Sequence, residues 1–78
     1  MKRTDMNRIQ EHRKLAGVSA RRLAAELDWT TSRVGNYEQG LRSPSLDDSR
    51  EIVYALNRLG VRCTLDTVFP PRFENEVA

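Results

Sequence analysis

The sequence predicts an all-α domain of four helices followed by one short β-strand. Three observations carry this. Apolar residues recur at helical spacing in the stretches of the second, third and fourth helices. Ser, Thr or Asp residues precede the helices, and Gly17, Gly40 and Gly60 stand where three of them would stop. Past Gly60 the apolar period changes to two.

The elements follow in chain order. Thr4 or Asp5 can cap a first helix through Ala16, with Gly17 suited to the left-handed position that ends it. Ser19 caps a second, "ARRLAAEL", whose Leu23, Ala24 and Leu27 share one face. Asp28 and Trp29 form a turn. Thr30 caps a third helix that carries Val34 and Tyr37 inward and ends at Gly40. "LRSPS" is a loop, because Pro44 disfavours helix in the residue before it. Ser45 with Asp48 matches an acidic variant of the capping box and starts a fourth helix bearing Ile52, Val53, Leu56 and Leu59. In "VRCTLDTVF", Val61, Cys63 and Leu65 alternate with Arg62, Thr64 and Asp66, which predicts a strand over 61–69. Pro70 and Pro71 end it, and "RFENEVA" is a loose tail, so 70–78 is expected to be flexible.

A lone strand must find hydrogen-bonding partners, and the nearest source is the same strand of a second copy. That arrangement makes Val61, Cys63, Leu65 and Thr67 a homodimer interface. The alternative is a short irregular extension lying on the core. The expected domains are thus 1–60, a dimerisation strand over 61–69, and a tail over 70–78.

Composition narrows the function. Seventy-eight residues make one small domain near the lower size limit of a self-sufficient core. Cys63 is the single cysteine, which excludes an internal disulfide and a cysteine-cluster zinc site and fits a reducing cytoplasm. No apolar run approaches the ~20 residues of a membrane span, and "MKRTDMNR" lacks the apolar core of a signal peptide. With one histidine, one cysteine and no glycine-rich phosphate cradle, no nucleophile–base constellation can be assembled. An enzyme is therefore not expected, nor a metal or cofactor. Net charge is only +2, but basic residues crowd the first half and acids gather at Asp47, Asp48, Glu51, Glu74 and Glu76. That asymmetry suggests a polyanion-facing side.

Two short helices joined by a tight turn make a helix-turn-helix, with Ala24 small enough for a close crossing. If Val34 and Tyr37 point inward, then Thr31, Ser32, Arg33 and Asn36 project outward near the start of the third helix. Such a surface suits the major groove: Arg33 can donate twice to guanine, and Asn36 can bond adenine in both directions. Arg21 and Arg22 open the second helix, where free N–H groups and the dipole also favour a phosphate. One of the two is expected on DNA and the other in solvent. Trp29 either plugs the rim of the bundle or stacks on a sugar or base. Cys63 is expected to act as a small hydrophobe.

The stretch "LAAELDWTTSRVGNYEQGLRSPSL" resembles the helix-turn-helix region of the phage Cro and repressor (XRE) family. The resemblance covers residues 6 to 60 and rests on the combined spacing of Arg13, Leu23, Ala24, Val34, Glu38, Gly40 and Pro44. It implies a lambda-repressor-like bundle that binds operator DNA as a dimer. It also implies a structural ion pair between Arg13 and Glu38, tying the first helix to the third. Positions matching Thr31, Ser32 and Asn36 carry base contacts in relatives. Phosphate contacts map to Ser19, Ala20 and Arg21, to Thr30, and to Leu41, Arg42 and Ser43.

The departures from the family pattern carry expectations of their own. Asp28 replaces the turn glycine, His12 takes a position that is usually apolar, and Ser49 and Arg50 replace apolar residues of the fourth helix. His12 is expected to be partly exposed and bonded to a backbone group. A strand in place of the usual fifth helix is similar to HipB-like antitoxins, whose C-terminal strands pair across the dimer. The expectation is a sequence-specific repressor that binds an inverted-repeat operator as a dimer. It is further expected to be an autoregulating antitoxin with a toxin protein partner, located in the cytoplasm on the nucleoid. The alternatives are a phage-type regulator without a toxin, or mainly a protein-binding module.

Overall fold

The computed structural model describes residues 7–70. It contains five helices in that span: α1 (Ile9–Leu15), α2 (Ala20–Leu27), α3 (Thr31–Glu38), α4 (Leu46–Arg58) and a single turn, α5 (Leu65–Val68). Thr4 and Asp5, the predicted caps of α1, lie outside the described residues. The helix itself begins at Ile9, whose N–H donates to Asn7 Oδ1 at 3.3 Å. Its end matches the expectation: Ala16 is the C-cap and Gly17 takes φ +75°.

The next three helices start at the predicted caps. Ser19 Oγ accepts from the Arg22 N–H, Thr30 Oγ1 from the Arg33 N–H, and Ser45 Oγ from the Asp48 N–H, at 2.9, 3.1 and 3.1 Å. Each bond satisfies one of the donors a helix start leaves open. Only half of the box at Ser45 forms, because the Asp48 carboxylate reaches across to α3 instead of back to Ser45. Asp28 ends α2 in the left-handed region, at φ 62° and ψ 37°.

Leu23 and Ala24 from α2, Val34 and Tyr37 from α3, and Ile52, Val53, Ala55 and Leu56 from α4 form the core, closed by Ile9 from α1. Ser49 is buried on α4, and Arg50 is exposed. Burying the Leu23, Ile52 and Leu56 side chains stabilises the fold by about 1.5–3 kcal/mol each.

The expected strand over 61–69 does not form. Val61 to Thr64 is irregular and the chain then makes the helical turn α5. Two threonines explain why. Thr64 Oγ1 accepts from the Thr67 N–H at 3.2 Å, while Thr67 Oγ1 accepts from the Thr64 N–H at 2.8 Å, a reciprocal capping box. Three further bonds tie the segment to the same chain. The Val61 N–H donates to Leu56 O at 2.9 Å, Asn57 Nδ2 donates to Cys63 O at 3.1 Å, and the Arg8 N–H donates to Val68 O at 2.7 Å.

Three of the four predicted interface residues are accordingly turned toward their own bundle, and Thr67 is exposed. Val61 is buried in the core, Cys63 and Leu65 pack against it half-buried, and the Thr67 hydroxyl is used in the box. The segment is the extension on the core that the sequence allowed as the alternative. His12 pins it further, with Nε2 3.3 Å from Thr67 O. Of the expected tail, residues 71–78 lie outside the described residues.

Candidate nucleic-acid interface

Pinning Val34 and Tyr37 in the core fixes the rotation of α3. Thr31, Ser32 and Arg33 are then exposed, and Asn36 is half-buried at the edge of the same face. The loop after α3 folds back onto it, because the Leu41 and Arg42 N–H groups both donate to Asn36 O, at 2.9 and 3.3 Å. This brings Arg42 beside the outer face of α3. Together Thr30, Ser32, Arg33, Asn36, Tyr37 and Arg42 line a concavity of about 420 Å³.

The two helix starts have matching chemistry. In α2 the Arg22 N–H is taken by Ser19 Oγ and the Leu23 N–H by Ser19 O. In α3 the Arg33 and Val34 N–H groups are taken in the same way by Thr30. The preceding N–H groups, of Ala20 and Arg21 and of Thr31 and Ser32, have no helical acceptor, which makes each start receptive to an anion. Ala20 is half-buried against the core, so only its backbone is free to meet a phosphate.

Charge sorts the arginines. Arg22 lies 3.5 Å from Glu26, whose other oxygen accepts from Arg58 Nε at 2.7 Å. That bond from Arg58 holds the Glu26 carboxyl below its usual range. Arg21 and Arg42 make no ion pair among the described residues. Both are exposed, so of the two arginines that open α2, Arg21 is the unpaired one. Leu41 is exposed next to Arg42, while Ser43 lines a second, smaller hollow with Asn7, Gly40, Pro44, Ser49 and Phe69.

Arg33 has partners that sequence reasoning missed. Its Nη2 donates to Asp48 Oδ2 at 2.9 Å, and its guanidinium carbon sits 3.9 Å from the centroid of the Trp29 ring. The Tyr37 hydroxyl donates to the same Asp48 oxygen at 3.0 Å. The Tyr37 hydroxyl first, and Asp48 after it, hold the guanidinium even more firmly protonated than a free arginine. Trp29 meets Tyr37 edge-on, with centroids 5.8 Å apart. A face of Trp29 is thus covered by Arg33, and the ring fills the rim of the bundle. No local pattern could have found this cluster, because Asp48 lies fifteen positions beyond Arg33 and already had a role as a capping residue.

Arg13 and Glu38 sit behind α3, away from the exposed face, in a two-point contact of 2.7 and 3.0 Å. Among the described residues no group of three or more His, Cys, Asp or Glu side chains converges as a metal site. No helix among them is long and apolar enough to cross a membrane. A family model described as "Helix-turn-helix" matches residues 9–59. Comparison with curated proteins and with solved structures finds no match.

Proposed function

The chain belongs to the helix-turn-helix family, and from that premise we propose that it is a transcription repressor that reads an operator with α3 in the major groove. The observation that carries this is the division of α3 into two sides. Val34 and Tyr37 are buried, while Thr31 is exposed and Ser32, Arg33 and Asn36 line one concavity with Arg42. Asn36 and Arg33 have the donor and acceptor geometry to discriminate adenine and guanine, and Thr31 and Ser32 can serve bases or phosphates. Ser19, Ala20, Arg21, Thr30, Leu41, Arg42 and Ser43 form the phosphate-facing rim on either side.

Two copies bind an inverted repeat, with half-site centres about one helical turn, ~34 Å, apart or at a multiple of it. The contact between copies uses a surface other than a paired C-terminal strand, since that segment serves its own core. The antitoxin assignment leaned on that strand, so a regulator without a toxin partner is the better supported version.

Selection of duplexes from a random pool, followed by gel shifts on the winner, tests the proposal. Asn36→Ala should relax base preference at one position, at a loss of about 1–3 kcal/mol. Arg42→Ala should weaken binding to every sequence and reduce the salt slope by about one. A pool that yields no preferred sequence would overturn it. Equal losses on operator and random DNA for Asn36→Ala would remove that residue from the reading set.

A further inference from the structure

Resting on the proposal that α3 reads DNA, we infer that Asp48 and Trp29 are positioning residues that set Arg33 for guanine, although both lie outside the reading helix. An arginine side chain at a helix surface normally samples many rotamers, and ordering it on a base costs entropy. Here the ordering is already done in the free protein. The Trp29 ring supports one face of the guanidinium at 3.9 Å, and Asp48 fixes one end of it through Nη2 at 2.9 Å. Tyr37, itself buried, donates to the same carboxylate oxygen and so holds Asp48 in turn. The Ser45 cap anchors the Asp48 backbone.

Three elements therefore converge on one side chain: the turn before α3, the body of α3 and the first turn of α4. The guanidinium stays accessible, since the Arg33 side chain is 43% exposed and lines the concavity with Ser32, Asn36 and Arg42. Its remaining N–H donors are free for a bidentate contact to guanine O6 and N7. The Asp48 carboxylate also bears on selectivity. A guanidinium already bonded to a carboxylate is held in one plane, so its remaining donors point one way, and a base whose acceptors lie elsewhere cannot be reached by a swing of the side chain. This makes Asp48 a determinant of sequence choice through Arg33, with no base contact of its own.

The test is a double-mutant cycle on the selected operator, with every base pair of a half-site varied and thermal unfolding recorded for each protein. The variants are Arg33→Ala, Asp48→Asn and the two combined, with Trp29→Leu as an independent probe. Wild type should prefer guanine at one position, and Arg33→Ala should abolish that preference. Asp48→Asn should cut it by about tenfold while leaving affinity for random DNA within about twofold. Trp29→Leu should act in the same direction at the same position. In the Arg33→Ala background Asp48→Asn should add nothing to discrimination.

Three outcomes would overturn the inference while leaving the DNA-reading proposal intact. One is an unchanged guanine preference in Asp48→Asn. Another is a uniform loss on all sequences, which is what a purely structural role produces. The third is a gain in both affinity and preference, which would make Asp48 a latch that Arg33 must leave. A wild-type protein that selects no sequence overturns the proposal beneath it as well.

Discussion

Arg13 and Glu38 meet inside the bundle at two points, Nε to Oε2 at 2.7 Å and Nη2 to Oε1 at 3.0 Å, with their side chains 8% and 6% exposed. Arg13 Nη1 also donates to Val18 O at 3.0 Å, so the guanidinium ties α1 to α3 and to the loop before α2. A buried pair of this kind is worth little relative to apolar residues of the same shape, yet removing one member strands the other charge.

Glu38→Ala should therefore lower stability by about 3–5 kcal/mol, a large part of what so small a domain possesses. Arg13→Met combined with Glu38→Leu should recover much of that loss. Urea unfolding of the single and double variants measures both. Additive losses would mean that the pair does not act as a unit.

Asp28 ends α2 at φ 62°, a conformation in which its Cβ crowds the following carbonyl. Asp tolerates it better than most residues, and glycine would bear no such strain. Asp28→Gly should raise stability by up to about 1 kcal/mol, and Asp28→Val should lower it by about 1–2 kcal/mol. Thermal melts distinguish the two signs. DNA binding should follow stability only, because Asp28 lies outside the concavity.

What the sequence disclosed about the fold was local. Ser19, Thr30 and Ser45 act within one turn of chain, and Leu23, Ala24, Val34 and Tyr37 reveal their face through spacing alone. The outer face of α3 follows by subtraction. The segment after Gly60 defeated the same logic, because a single helical turn is too short to display a period. Alternating Val61, Cys63 and Leu65 look like a pleated strand until Thr64 and Thr67 are seen to cap each other. The Arg33 cluster was hidden for a different reason: Asp48 and Arg33 are joined only by the packing of α4 against α3. Chemistry that depends on tertiary packing leaves no mark on neighbouring positions.

Glu26 links Arg22 and Arg58, and its carboxyl titrates below the ordinary value of 4.5 chiefly because Arg58 Nε donates to it. A depressed carboxylate binds protons more weakly when folded than when unfolded. Its contribution is thus fully present above 4.5 and fades as pH falls through the lowered folded value. Glu26→Gln should be less stable than wild type at neutral pH, with the difference shrinking in acid and in high salt. Melts across an acid series check the direction.

Burial pushes the Cys63 thiol above its ordinary 9.0, and Asn57 Nδ2 stands 3.8 Å from its sulfur. Little thiolate exists at neutral pH, so thiol-directed reagents should label the folded protein more slowly than the urea-unfolded chain. Equal rates would mean that the segment around Cys63 opens freely.

The turn α5 offers the sharpest contrast between a strand that joins two copies and a helical turn that completes one. Val68 is fully buried, Val61 nearly so, and the Arg8 N–H donates to Val68 O. Val68→Ala should lower stability by about 2 kcal/mol through lost burial and the cavity left behind. Thr64→Ala removes one half of the capping box and should cost about 1 kcal/mol. If the segment completes its own bundle, both losses are independent of protein concentration, and light scattering gives an unchanged mass for each variant. A strand shared between copies would behave otherwise: the losses would grow on dilution, and the variants would shift toward monomer. Denaturation of Val68→Ala at two widely separated concentrations separates these cases. A midpoint that moves with concentration more than the wild type's would refute the intramolecular packing of Val68.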